Sequence, residues 1–99
     1  MKIVFIVCNE VYSHRVMDLL AKNKIDYYTR WEEVAGKGHG TEPHLGTRSF
    51  PGLNTVLMIA IEDESILGCL TTNIREANSE IVRPGDRIRM FQIPLDSIL

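Results

Sequence analysis

The sequence has few cysteines and no pattern that pairs them. Cys8 and Cys69 stand far apart with no CxxC spacing, so a disulfide scaffold is excluded and both thiols are expected to be reduced and packed in the core. Long hydrophobic runs are lacking, which excludes a membrane-spanning helix. Met1-Lys2 leads directly into a short apolar strand with no room for a leader, so a cytoplasmic protein is expected. A strong excess of one charge is lacking too. The net charge of −2 gives no reason to expect non-specific binding to nucleic acid or to a membrane surface. Neither nucleotide-binding fingerprint is present. The glycine-rich stretch lacks the GxxxxGK[ST] spacing and joins a strand to a strand, which excludes a P-loop and a Rossmann turn. A catalytic set is equally hard to assemble. Cys8 and His14 would be the nearest nucleophile and base, but a thiol in an apolar strand is inert. Glu32 and Glu33 are adjacent in an expected strand and would point to opposite faces. No enzyme is expected.

What remains is the composition of an ordinary globular protein, with 44% hydrophobic and 24% charged residues. Its 99 residues are read as one domain, 1–99, with a core small enough for self-association to help. Residues 2–8 form a β-branched strand that is apolar on both faces: Ile3, Phe5 and Val7 on one, Val4, Ile6 and Cys8 on the other. Ser13 is the expected cap of a helix that buries Val16, Leu19 and Leu20 and ends near Asn23, read as a left-handed terminator, or Lys24. Residues 25–35 read as a partly exposed strand. A second two-faced strand spans Leu53 to Ile61. Acids at Glu62, Asp63 and Glu64 precede a second helix with Ile66, Cys69, Leu70, Ile74 and Ala77 on its buried stripe. After the turn Pro84-Gly85-Asp86, residues 87–95 form the last strand.

The order βαββαβ predicts an α+β, ferredoxin-like fold: a four-stranded antiparallel sheet with two helices on one face. Two helices cover one face only, yet the first and third strands are apolar on both. A second copy of the chain is the economical cover for the other face.

Between these elements lies the stretch Gly36 to Asn54. It holds five of the seven glycines, so its backbone can approach a ligand closely and present N–H groups to an anion. Lys37 and Arg48 add positive charge. Three arginines, Arg83, Arg87 and Arg89, surround the later turn and suit bidentate anion recognition. His39, Glu42 and His44 form an alternative set that would ligate copper or zinc. For each motif the plain reading, a turn-forming loop with solvated charges, stands beside the functional one.

Glu33-Val34-x-Gly36-x-Gly38, Gly40-Thr41-Glu42 after His39, Ile61-Glu62-Asp63, Gly85-Asp86 and Ile93-Pro94-Leu95 occur in the order and near the spacing of the PII signalling proteins. Across nearly its whole length the chain resembles a divergent member of the wider PII-like group, the nitrogen regulatory protein P-II superfamily. The resemblance implies a homotrimer that binds a small anionic effector, an adenine nucleotide such as ADP, AMP or ATP, in its intersubunit clefts. It implies that residues 37–52 act as a short T-loop signalling to a protein target such as a transporter or an enzyme. Gly36, Lys37, Gly38 and His39 then match the loop base around the phosphates. Gly85 and Asp86 match the second phosphate turn, with Arg87 and Arg89 near its basic position, and Ile6 matches a position lining the nucleotide. The chain departs from the pattern in its shorter loop, in Asn54 where a phosphate-binding lysine is usual, and in having no C-terminal arginines. A cyclic nucleotide, bicarbonate or no nucleotide therefore stay open as alternatives. The related CutA-like trimers, linked to metal tolerance, keep the copper or zinc reading of His39, Glu42 and His44 beside the first.

Overall fold

Two runs of β-branched residues, the strongest local signal in the chain, become the two inner strands of one sheet. The computed structural model describes residues 1–99. Its elements are β1 (Lys2–Asn9), α1 (Ser13–Lys22), β2 (Thr29–Val34), β3 (Asn54–Ile61), α2 (Glu64–Ser79) and β4 (Arg89–Pro94), with 3-10 turns at Glu10–Tyr12 and Pro84–Asp86. The sheet order is β2-β3-β1-β4 and every neighbouring pair is antiparallel. This is the expected βαββαβ architecture. No helix is long and apolar enough to cross a membrane.

The core lies between the helices and one face of the sheet. Val4, Ile6 and Cys8 of β1 and Leu57, Ile59 and Ile61 of β3 are buried there, against Val16 and Leu20 of α1 and Leu67, Leu70, Ile74 and Ala77 of α2. Burying each such aliphatic side chain contributes about 1.5–3 kcal/mol. The α2 stripe differs from expectation. Cys69 is exposed and Ile66 only half-buried, and Leu67 leads the inward series that continues through Leu70, Ile74 and Ala77. The Asp63 carboxylate accepts from the Ser65 and Ile66 amides at 2.8 and 3.4 Å and from the Ser65 hydroxyl at 2.6 Å. These bonds, the Ser65 hydroxyl's first, hold its carboxyl below the usual range.

Helix α1 also starts and ends differently. Ser13 is its first residue rather than its cap, and its hydroxyl donates to the Glu10 carbonyl at 2.9 Å. The left-handed residue at its end is Lys24, at φ 59°, not Asn23. Asn23 is used otherwise. Its side-chain amide donates to the Leu19 carbonyl and to Asn73 Oδ1, both at 2.8 Å, and so ties α1 to α2. Residues 25–28 do not join the sheet, since Ile25 drops into the core and β2 begins only at Thr29. Glu33 takes φ 57° at a register break between Trp31 and Val34, so strict alternation fails there and both Glu32 and Glu33 are exposed.

The other face of the sheet is apolar and bare. Register places Phe5 between Met58 and Phe91, Ile3 between Ala60 and Ile93, and Val7 between Val56 and Arg89, with Trp31 beyond Val56. Phe91, Ile93 and Trp31 are 52%, 47% and 45% exposed, which is costly for an apolar surface facing water.

Candidate functional site

The glycine loop and the arginine turn meet at one end of the sheet. Gly36 and His44 exchange backbone hydrogen bonds of 2.8 and 2.7 Å, which closes residues 36–44 into a small hairpin. A second clasp, Gly46 N–H to the Gly52 carbonyl at 3.0 Å, closes the outer part, and Thr47 binds Phe50 across its tip. The loop is thus clasped at three places, Gly36 to His44, Gly46 to Gly52 and Thr47 to Phe50.

The inner hairpin packs on the turn Pro84–Asp86. A Cβ at Gly85 would lie 3.3 Å from Thr41 Cβ and 3.6 Å from the Glu42 amide nitrogen, so glycine permits this approach. At Gly36 a Cβ would lie 2.5 Å from Asn54 Nδ2. Gly36→Ala therefore pushes the Asn54 side chain off His44, and hydrogen exchange is expected to report lost protection at the His44 amide. Unchanged protection would show that the clasp does not depend on Asn54.

Four polar side chains bind these parts together. His44 Nδ1 lies 2.7 Å from Asn54 Oδ1, and His44 Nε2 lies 3.4 Å from Asp86 Oδ1. The Asn9 amide donates to the same Asp86 oxygen at 3.0 Å, while Asn9 Oδ1 accepts from the Val11 amide at 3.1 Å. Asn9 and Asn54 face each other at the paired ends of β1 and β3. Farther along, Asn78 of α2 grips the Ile88 backbone from both sides, at 2.7 and 2.8 Å. Ile88 is buried, so the extended chain turns Arg87 and Arg89 the other way, together.

The result is a cradle of about 50 Å³. Its floor is the end of β1, from Val7 to Asn9; Gly36, Lys37, Gly38 and Thr41 form one wall and Gly85, Arg87 and Arg89 the other. Three basic side chains border it against one carboxylate in its lining, Glu42, which leans at 3.6 Å toward the exposed Arg83. The arrangement suits an anion, held by guanidinium forks and loop amides. Burial pushes the Cys8 thiol up to about 11, so Cys8 contributes a neutral, unreactive wall.

Most of the residues singled out in the sequence converge here: Gly36, Lys37, Gly38, Gly85, Arg87 and Arg89 line the cradle, and Asp86 stands directly behind it. Four do not. Ile6 is sealed in the core, because its side chain points to the helices, and its neighbour Val7 reaches the cradle. His39 is exposed at the turn of the inner hairpin, outside the lining, and Arg48 sits out at the loop tip. Arg83 is exposed outside the lining and faces Glu42 instead. The alternative metal set does not assemble either. No three His, Cys, Asp or Glu side chains gather in ligand geometry, and both nitrogens of His44 are already engaged with Asn54 and Asp86. Thr41, part of the Gly40-Thr41-Glu42 motif, also lines the cradle, whereas Asn9 and the partnership of Asn54 with His44 escaped the sequence reading. Their one signal was an asparagine at each end of two strands expected to pair.

No protein-family model matches the chain, and no curated protein matches it. Solved structures do. CPII from Thiomonas intermedia K12 bound to ADP and bicarbonate aligns over 93% of this chain and 86% of its own, at 18% identity and a TM-score of 0.68. The same protein, described as a nitrogen regulatory PII-like protein, bound to ADP, AMP and bicarbonate aligns over 93% and 86%, at 20% identity and a TM-score of 0.66. Its apo form aligns over 93% and 85%, at 15% identity and a TM-score of 0.67. At these identities the likeness is one of fold, and the fold of this chain is that of a PII-like protein.

Proposed function

We propose that this protein is a non-enzymatic, PII-like regulator that binds an adenine nucleotide in the cradle between the glycine loop and the arginine turn. One observation carries the reading: Lys37, Arg87 and Arg89 converge with the backbone of Gly36 and Gly38 on a single concave site. The ADP and AMP held by the structurally similar CPII support the same ligand class. ADP and AMP lead, and ATP is the third candidate.

The cradle is far smaller than the ~300 Å³ at which ligand pockets usually begin. It needs a further wall besides the two that the chain itself supplies. Val7 and Arg89 share the bare apolar face and border the cradle, so a subunit laid on that face would supply the wall. A homotrimer with three such clefts fits this arrangement, and residues 37–52 then project from each cleft as the arm toward a protein target, a transporter or an enzyme. Effector binding would change the arm's populations and so its contact with the target.

Calorimetric titration of the assembled protein with ADP, AMP and ATP tests the proposal. The Arg87→Ala/Arg89→Ala double variant should abolish binding, because each charged hydrogen bond to phosphate is worth about 1.5–3 kcal/mol. Equal affinity in the double variant would remove the turn from the site, and no binding of any nucleotide by the wild type would overturn the nucleotide reading.

A further inference from the structure

The arginine turn is tied to the floor of the cradle by one side-chain amide. The ladder between β1 and β4 ends at the pair Val7 and Arg89, so Arg89 is placed by the sheet and Arg87 is not. Within the turn, the Asp86 and Arg87 amides donate only locally, to the Arg83 and Pro84 carbonyls at 3.0 and 3.3 Å. The one hydrogen bond that reaches residues 83–87 from elsewhere comes from Asn9 Nδ2, which donates to Asp86 Oδ1 at 3.0 Å. The other polar contacts there are longer: 3.4 Å from His44 Nε2 to the same oxygen, and 3.6 Å between the exposed Arg83 and Glu42.

The direction of the Asn9 amide is fixed by its other end. Asn9 Oδ1 accepts from the Val11 amide at 3.1 Å, and a backbone N–H can only donate, so Nδ2 must be the atom that faces Asp86. A carboxylate oxygen accepts what that amide offers. Asn9 is half-buried at the last position of β1, pairs with Asn54 of β3 and lines the cradle. Its side chain therefore holds three parts in one relation: the cradle floor, the 3-10 turn that follows β1, and the arginine turn.

We propose that Asn9 is a positioning residue for the effector: by holding Asp86 it sets where Arg87 stands relative to Arg89 and Lys37, and so how firmly the cradle grips an anion. Arg87 follows Asp86 directly and lines the cradle, while the next residue, Ile88, is buried. With the Asn9 bond made, Arg87 is in place before any anion arrives, and binding need not order it. With the bond broken, residues 83–87 keep their own short bonds, the packing of Gly85 on Thr41 and the anchor at Ile88. The Arg87 guanidinium then samples more positions, and fixing one of them costs affinity.

The effect on affinity rests on the function proposed above; the tether itself does not, and the two are read separately. Asn9→Asp keeps the acceptor for the Val11 amide but sets a second carboxylate against Asp86. In Asn9→Asp/Asp86→Asn the bond returns with donor and acceptor exchanged. In the ligand-free protein, amide exchange followed by NMR should speed up at Asp86 and Arg87 in Asn9→Asp, stay unchanged at Leu57 in the core, and return to the wild-type rate in the exchanged pair. Wild-type rates at Asp86 and Arg87 in Asn9→Asp, or an equal rise at Leu57, would overturn the tether. In parallel, ADP is titrated calorimetrically into the wild type, both single variants and the pair. Asn9→Asp should weaken binding about tenfold in the wild-type background and cost little in the Asp86→Asn background. The same loss in both backgrounds would show Asn9 acting on the anion itself rather than through Asp86, and would overturn the positioning role, as would no loss in either. If the wild type binds no ADP, the nucleotide reading and the effect on affinity fall together, and the exchange rates alone decide the tether.

Discussion

Phe5→Asp is expected to leave single folded chains in place of the proposed assembly and to abolish the proposed ADP binding with it. Phe5 sits at the middle of the bare sheet face, flanked across the register by Met58 and Phe91. In an isolated chain that face meets water, so a carboxylate there is solvated and the helix-covered core beneath it is untouched. In an assembly the same carboxylate is buried among apolar side chains with no partner, a penalty of several kcal/mol per charge. Because each copy carries the substitution, the penalty recurs at every subunit. Light scattering should show the single-chain mass, and circular dichroism an unchanged fold. A mass equal to that of the wild type would show that this face is not the interface.

The largest effect on stability is expected at Leu57. It is fully buried in β3, paired with Ile6 of β1 on one side and Arg30 of β2 on the other, beneath both helices. Leu57→Ala removes three buried carbons and leaves a cavity that a central strand cannot collapse to fill, a cost of about 2–5 kcal/mol. Against the ~5–15 kcal/mol that holds a typical domain together, this would leave a barely folded protein. Urea unfolding at a fixed protein concentration measures it, since the proposed assembly would make apparent stability depend on concentration. A loss below about 1 kcal/mol would mean that the neighbours close over the gap.

The element order was legible because each signal is local. The runs at 2–8 and 53–61 are too β-branched and too evenly apolar to be anything but inner strands, and their second apolar face announced a surface that the chain's own helices do not cover. Where side chains decide between two local options, the sequence reading missed. Ile6 and Val7 occupy opposite faces in any strand, but the cradle opens at the end of β1, where Val7, Cys8 and Asn9 line it, one residue beyond the buried Ile6. Asn23 has the composition of a helix terminator, yet a partner at Asn73 claimed its amide. Cys69 and Leu67 are two residues apart and so fall on opposite sides of α2, and the packing against the sheet took Leu67 inward and left Cys69 exposed. The candidate site divides the same way. Its glycines and arginines declare themselves by type, whereas the link from Asn54 through His44 to Asp86 and Asn9 joins positions remote in sequence and exists only once β1 has paired with β3.

The two nested clasps of the loop have a consequence for what its tip can transmit. A free loop spanning residues 35–53 would have to be ordered almost entirely whenever anything gripped it, at about 1–2 kcal/mol per backbone residue. With Gly36 bound to His44, Gly46 to Gly52 and Thr47 to Phe50, part of that ordering is already done, and residues 37–43 are what the inner clasp encloses. A body touching the tip therefore meets a jointed lever rather than a slack rope. In the proposed signalling role, a shift at the cradle would carry the outer hairpin with it, since only Leu45 separates the two clasps, at His44 and Gly46.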